Sequence, residues 1–254
     1  EAGLRTFDLF SPWPEEGNRK LVSALADFHF APSKLAKENL LKENVLNERI
    51  AVTGNTVIDS LKIALDQVNK RSLENSFSHD FNLRNDNRKI ILVTGHRREN
   101  FGDGFKKICK ALAEIAENHK NFRLIYPLHL NPNVQDPVRE HLSGIDNIEL
   151  IRPLDYLPFV YILSKSYLVL TDSGGIQEEA PYLGIPVLVM RDTTERQEAL
   201  DSGTAILVGS SASNIVKNVN NLLKSRDKYK KMSSAINPYG NGDAAKEIVK
   251  KLSK

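Results

Sequence analysis

Cysteine is almost missing from this sequence: Cys109 stands alone among 254 residues. An internal disulfide is thereby excluded, no CxxC zinc or redox pair exists, and a reducing, cytoplasmic compartment is the expectation. Cys109 lies beside the apolar stripe Phe105, Ile108, Leu112 and Ile115, the pattern of a half-buried helix residue rather than a nucleophile. Long apolar runs are also lacking, which excludes a membrane-spanning helix, and no leader pattern precedes the first element. The six histidines show no helical or hairpin ligand spacing, so no metal site is expected. Charge of one sign is not in large excess: 35 Lys and Arg against 32 Asp and Glu give a net charge of +3. The basic residues Lys246, Lys250, Lys251 and Lys254 share a helical segment with Ala245, Ile248, Val249 and Leu252, and no aromatic platform accompanies them. That is a packing helix, and nucleic acid is not an expected partner. An initiator methionine is absent too. The chain opens directly on Glu1-Ala2-Gly3-Leu4-Arg5-Thr6, so further residues upstream are expected.

What is present is a regular alternation. Short strands are expected at 28–31 and 50–53, and six more at 89–94, 123–128, 148–151, 167–171, 186–190 and 205–208, with helical patterns between them. Strand-helix repetition of this kind builds a parallel α/β sheet covered on both faces, with ligands at the carboxyl ends of the strands. Three parts follow. Residues 1–55 supply two strands of a first Rossmann-like domain, 56–240 a complete doubly wound second domain, and 241–254 a terminal helix. Residues 56–68 read as an amphipathic helix with Val57, Ile58, Leu61, Ile63, Ala64 and Val68 on its apolar positions. The asparagine-rich stretch 69–88 reads as a linker or surface excursion.

The chemistry concentrates at strand ends. After the fourth strand of the second domain comes Thr171-Asp172-Ser173-Gly174-Gly175, and a helix opens near Ile176. Two glycines let a ligand reach the backbone, and unpaired N–H groups at a helix start attract an anion such as a pyrophosphate. Glu179, just inside that helix, suits the two hydroxyls of a ribose. After the next strand, Arg191 and Arg196 bring cations that can meet phosphate. An ordinary turn with Ser173 as N-cap would explain the glycines alone. It would not explain three ligand-type features at successive strand ends. His96, Arg97 and Arg98 follow the domain's first strand, where a histidine can hold or protonate a phosphate. His129 follows the second strand, as a cleft residue or a strand cap. Glu1 and Glu15 are the carboxylates available for proton transfer, provided that burial raises the pKa of at least one toward neutrality.

Together the motifs Glu1-Ala2-Gly3-Leu4-Arg5-Thr6, Ser11-Pro12-Trp13-Pro14-Glu15-Glu16, Thr53 to Asp59, Thr94-Gly95-His96-Arg97-Arg98-Glu99-Asn100, His129 to Asn133, Asp172 to Ala180 and Arg191 to Arg196 give a specific resemblance. The chain resembles the bacterial non-hydrolysing UDP-N-acetylglucosamine 2-epimerases along essentially its whole length. That resemblance implies two Rossmann-like domains of GT-B type facing across a cleft, the terminal helix crossing back to the first, and an amino-terminal part without counterpart here. It implies the reversible conversion of UDP-N-acetylglucosamine to UDP-N-acetylmannosamine for surface polysaccharides, by elimination and re-addition of UDP through 2-acetamidoglucal. No cofactor or metal takes part, and a cytoplasmic homodimer away from any membrane is expected. Residue by residue it implies uridine contacts at Leu154 and Phe159, pyrophosphate at Ser173, Gly174 and Gly175, ribose at Glu179, and further substrate contacts at His96 and Arg196. Glu1, Glu15 and His96 are implied in the chemistry. A second, regulatory substrate molecule is implied at Glu15, Arg97 and His129, so Glu15 matches two roles. Three other readings stay open: a hydrolysing 2-epimerase, a GT-B glycosyltransferase, and a UDP-binding fragment without catalysis, for which slow or absent turnover is expected.

Overall fold

The structure is a computed structural model that describes residues 1–253. Eight short strands alternate with helices along the chain: β1 (His29–Ala31), β2 (Ile50–Val52), β3 (Lys89–Thr94), β4 (Phe122–Pro127), β5 (Ile148–Ile151), β6 (Ser166–Thr171), β7 (Val187–Val189) and β8 (Ala205–Leu207). β1 and β2 pair in parallel as a two-stranded sheet; the other six form one sheet in the order β5-β4-β3-β6-β7-β8, every pair parallel. The chain is therefore α/β, built of Rossmann-like parallel units of GT-B type. In the six-stranded sheet, chain order runs outward from β3 to one edge and then from β6 to the other. The strand order thus reverses between β3 and β6, and their carboxyl ends part to leave the crevice in which such sheets hold ligands.

Alternation along the strands decides the two faces. Ile91, Val93, Leu124, Tyr126, Leu168 and Leu170 point to one side, under the helices Asp103–Asn118 and Ala212–Lys224. Ile90, Leu92, Ile125, Val169, Val187 and Val189 point to the other, under the helices Thr56–Val68 and Tyr156–Ser164. Two apolar layers on one sheet require strands that are apolar at nearly every position, which these are.

The outer face of the helix Thr56–Val68 carries Ile63, which is exposed, whereas Ile58, Leu61, Ala64 and Val68 are buried. Ile63 follows Leu61 by two residues, so the helical repeat rotates it away from the core. Of the two readings of 69–88, linker or surface excursion, the structure agrees with the second. The segment contains the helix Arg71–Asp80, and Phe77 and Phe81 lay their rings against Tyr161 at centroid distances of 5.5 and 6.3 Å. Two aromatics one helical turn apart outweigh the polar composition around them. The terminal helix Ala244–Leu252 packs against the helix Thr56–Val68, and Asp59 accepts from the amides of Ala244 and Ala245 at 3.1 and 3.0 Å. Among the described residues, no helix is long and apolar enough to cross a membrane.

Candidate active site

The crevice is built on β3 and β6 and tied at its base. Thr94 and Thr171 are register partners, and their hydroxyl oxygens lie 2.6 Å apart. One residue further on, the fully buried Asp172 accepts from the amides of His96 and Arg97 at 2.9 and 2.8 Å and from the Asn100 side chain at 3.3 Å. Asp172 thus fixes the loop after β3 against the bend after β6. Its importance was not read from the sequence, where it appears only as the polar residue before Ser-Gly-Gly.

The bend itself differs from a serine-capped turn. Gly175, not Ser173, is the N-cap of the helix Ile176–Tyr182, and the Ser173 amide donates to the Thr171 hydroxyl at 2.9 Å. The two glycines have separate reasons. A Cβ on Gly174 would stand 2.8 Å from Arg196 Nη1, so the missing side chain is where the guanidinium lies. A Cβ on Gly175 would meet no protein atom within 4 Å, so that face opens to the crevice. Glu179, in the first turn of the helix, is buried and accepts from the Tyr156 hydroxyl at 2.7 Å. Burial raises its pKa and the tyrosine's hydrogen bond works against that rise. Leu154 and Phe159 lie half-buried around the start of the helix Tyr156–Ser164, so the ribose and uridine candidates share one end of the cleft.

Arg196 faces inward, which changes its part in the site. Nε donates to Glu178 at 2.9 Å, Nη2 to Glu1 at 2.6 Å, and Nη1 to Glu195. Burial opposes its charge, but Glu178, Glu195 and Glu1 together more than offset this and raise its pKa. A guanidinium occupied by three carboxylates is a junction rather than a free phosphate ligand. Arg191 is likewise engaged, donating to Glu99 at 2.7 Å and to Glu195 at 3.1 Å. Glu195, fully buried among Arg196, Arg191 and Arg19, is held at a pKa of about 2 even though burial alone would raise it. Nothing in the local sequence marks these internal carboxylates, because burial of Glu178 and Glu195 depends on contacts between distant segments.

Glu1 is the carboxylate of this junction that reaches the surface. One oxygen accepts from Arg196 and the other from Arg19 Nε at 3.0 Å. Burial works to raise its pKa, and the two arginines overcome it and lower the value. Glu15 stands in a separate pair, accepting from Arg97 Nη1 at 2.8 Å. The rings of His96 and His129 stack beside it, 5.2 Å between centroids and 12° between planes. Desolvation lowers the pKa of His96, Asp172 opposes this, and His129 and Arg97 add to the lowering. The surroundings thus favour the neutral ring, which can accept one hydrogen bond and donate another. Among the described residues, no group of three or more acidic, histidine or cysteine side chains is placed to hold a metal ion.

A Rossmann-like parallel sheet with a bend open at Gly175, the buried Glu179 and Glu1 clamped beside Arg196 has the α/β frame in which nucleotide-binding proteins hold their ligands. The family model described as UDP-N-acetylglucosamine 2-epimerase matches residues 1–253, and the chain belongs to that family. It is similar to the UDP-N-acetylglucosamine 2-epimerase of Yersinia pestis, 58% identical over 253 residues covering 99% of this chain and 67% of that protein. Among solved structures it is similar to the Neisseria meningitidis UDP-GlcNAc 2-epimerase bound to UDP-GlcNAc: TM-score 0.97, 50% identity, 100% of this chain and 68% of that one. The Methanocaldococcus jannaschii UDP-GlcNAc 2-epimerase in complex with UDP-GlcNAc and UDP gives a TM-score of 0.85 at 34% identity, covering 100% of this chain and 67% of that one. The chain spans about two thirds of the length of these relatives.

Proposed function

We propose that this site epimerises UDP-N-acetylglucosamine at C2, reversibly and without hydrolysis, giving UDP-N-acetylmannosamine. The observation that carries this reading is the clamped Glu1: an ionised carboxylate on the same guanidinium that lies against Gly174 of the anion-binding bend. It brings a base beside the place where a leaving diphosphate would rest. The C2 proton of the sugar is not next to a carbonyl, so it becomes acidic only as the C1–O bond breaks and its electron pair leaves on UDP. The free amides of the bend stabilise that developing negative charge. Glu1 then takes the proton from C2 and a C1–C2 double bond forms, giving 2-acetamidoglucal beside UDP. Return of a proton to the other face of C2 and re-addition of UDP at C1 complete the inversion, and water must be kept out meanwhile.

The remaining residues take supporting parts in this reading. Leu154 and Phe159 flank the uracil, Glu179 binds the ribose and Ser173 the pyrophosphate. His96 hydrogen-bonds the leaving phosphate as a neutral imidazole. Glu15, Arg97 and His129, which lie together beside it, suit a second, regulatory molecule of the nucleotide sugar. A cytoplasmic homodimer fits the same reading, and sedimentation equilibrium tests the dimer. The reaction is tested by incubating the protein with UDP-N-acetylglucosamine in deuterated water. Deuterium at C2 of a sugar still attached to UDP supports the proposal, and release of free N-acetylmannosamine makes the enzyme a hydrolysing epimerase instead.

A further inference from the structure

Glu1 is gripped from two sides by buried guanidinium groups. Arg19, from the helix Glu15–Leu25, is buried and meets Glu1 Oε2 with both Nε and Nη2 at 3.0 Å. The same guanidinium lies 3.6 Å from Glu16 and 3.6 Å from Glu195. On the other oxygen, Arg196 is held in turn by Glu178, and the second oxygen of Glu178 accepts from the Asn55 side chain. Asn55 is anchored through its own amide on the Tyr239 carbonyl at 2.9 Å and caps the helix Thr56–Val68. A continuous hydrogen-bonded path therefore runs from the end of the two-stranded sheet, through the helix after β6 and the loop after β7, to the reactive carboxylate.

We propose that Arg19 and Glu178 are positioning residues for the proton transfer, fixing the orientation of the Glu1 carboxylate from opposite sides and acting through it, Arg19 directly and Glu178 by way of Arg196. The assignment rests on the reading of Glu1 as the base. The charged side chains around Glu1 are Arg19 with Glu16 beside it, Arg196 with Glu195, and Glu178. Within this set the two residues act with opposite signs. Arg19 favours the charged carboxylate, so removing its charge should raise the pKa of Glu1. Glu178 is a like charge bridged only by Arg196, so neutralising it should lower that pKa.

The test follows the Glu1 carboxyl directly by ¹³C NMR of the protein with labelled glutamate, its resonance assigned as the one missing from Glu1→Gln. Arg19→Gln should move the titration midpoint up by about one pH unit, and Glu178→Gln should move it down by a smaller amount. The two variants are independent, so one that folds is enough to decide. A midpoint unchanged in the folded variants, or displaced in the same direction in both, overturns the assignment. The acid limb of kcat/KM should follow the midpoint in each variant. If the midpoint moves as expected while the limb stays, the clamp stands, and it is Glu1 as base, the reading beneath it, that falls.

Discussion

The first 55 residues and the six-stranded unit bury different kinds of side chain, the first with two strands in this chain and the second with six. In the six-stranded unit, both faces of the sheet are covered by apolar helix faces, and Leu92, Val169 and Leu112 are fully buried. In the first region the helix Glu15–Leu25 buries Glu16 and Arg19 and leaves Leu21, Val22 and Leu25 outside, Leu25 at 86% exposure. Its apolar cluster is small: Leu4, Ala31, Ala36, Leu40 and Ile50. The buried groups in the first region are held by ion pairs instead, such as Arg5 with Glu43 at 2.7 Å and Arg19 with Glu1 at 3.0 Å. The Gly174-Gly175 bend lies on one region and Glu1 on the other, and Arg196 and Arg19 join them through ion pairs.

The tie between the regions is the place to break this arrangement with the largest effect. Arg196→Ala should destabilise the protein by about 3–5 kcal/mol, because Glu178 would stay buried without its cation and Glu195 would lose one of its three. Chemical denaturation checks this, and a loss below about 1 kcal/mol would remove the junction from its central part. Leu92→Ala should cost about 2–5 kcal/mol by opening a cavity in the sheet. Leu25→Ala, at an exposed site of the first region, should stay within about 0.5 kcal/mol. Equal losses at both leucines would cancel the contrast between the regions.

Acid should act on the junction next. Glu195 has a folded pKa of about 2 against an ordinary 4.5, so its native state binds its proton later than the unfolded chain does. Its contribution to stability is complete above the ordinary value and is lost as pH falls from about 4.5 toward 2. Glu178 and Glu179 are raised by burial, so their protonation on acidification favours the folded state and partly offsets that loss. Glu195→Gln should therefore flatten the fall in melting temperature between pH 5 and pH 3, read by calorimetry at matched ionic strength. A fall as steep as in the parent protein would show that Glu195 does not govern it.

Much of this frame was legible in advance, and the reasons differ by element. Strands such as β3 and β6 declare themselves by unbroken apolar runs of strand length, and Asp172-Ser173-Gly174-Gly175 declares the bend because glycine pairs at strand ends leave backbone exposed. The helix Arg71–Asp80 was hidden, since its asparagines and serines dilute two phenylalanines whose partner, Tyr161, lies 80 residues or more away in the chain. The same separation hid the junction. Residues 1, 19, 178 and 196 are charged in sequence and look like surface; only the fold reveals that Arg196 serves three carboxylates. Arg191 and Arg196 were both expected to be open to phosphate, and both are drawn inward by glutamates that sequence spacing cannot place. By contrast, Glu15, Arg97 and His129 are grouped by the resemblance, and in the structure Glu15 pairs with Arg97 while His129 stacks on the neighbouring His96.

The two adjacent glycines sharpen the comparison within the frame itself, at smaller cost. Gly174→Ala sets a methyl group 2.8 Å from Arg196 Nη1 and should disturb the junction, costing about 1–3 kcal/mol of stability. Gly175→Ala meets no protein atom within 4 Å, so its folded state should lose about 0.5 kcal/mol or less. If the bend receives a diphosphate, the same methyl group stands where the ligand approaches, and UDP affinity measured by calorimetry should fall by about 1–2 kcal/mol. The pair thus separates scaffold from site: one alanine acts on the protein, the other on the ligand. Unchanged UDP affinity in a folded Gly175→Ala protein would mean that the nucleotide does not rest on this bend, and the roles given to Ser173, Glu179 and Glu1 would have to be reassigned together.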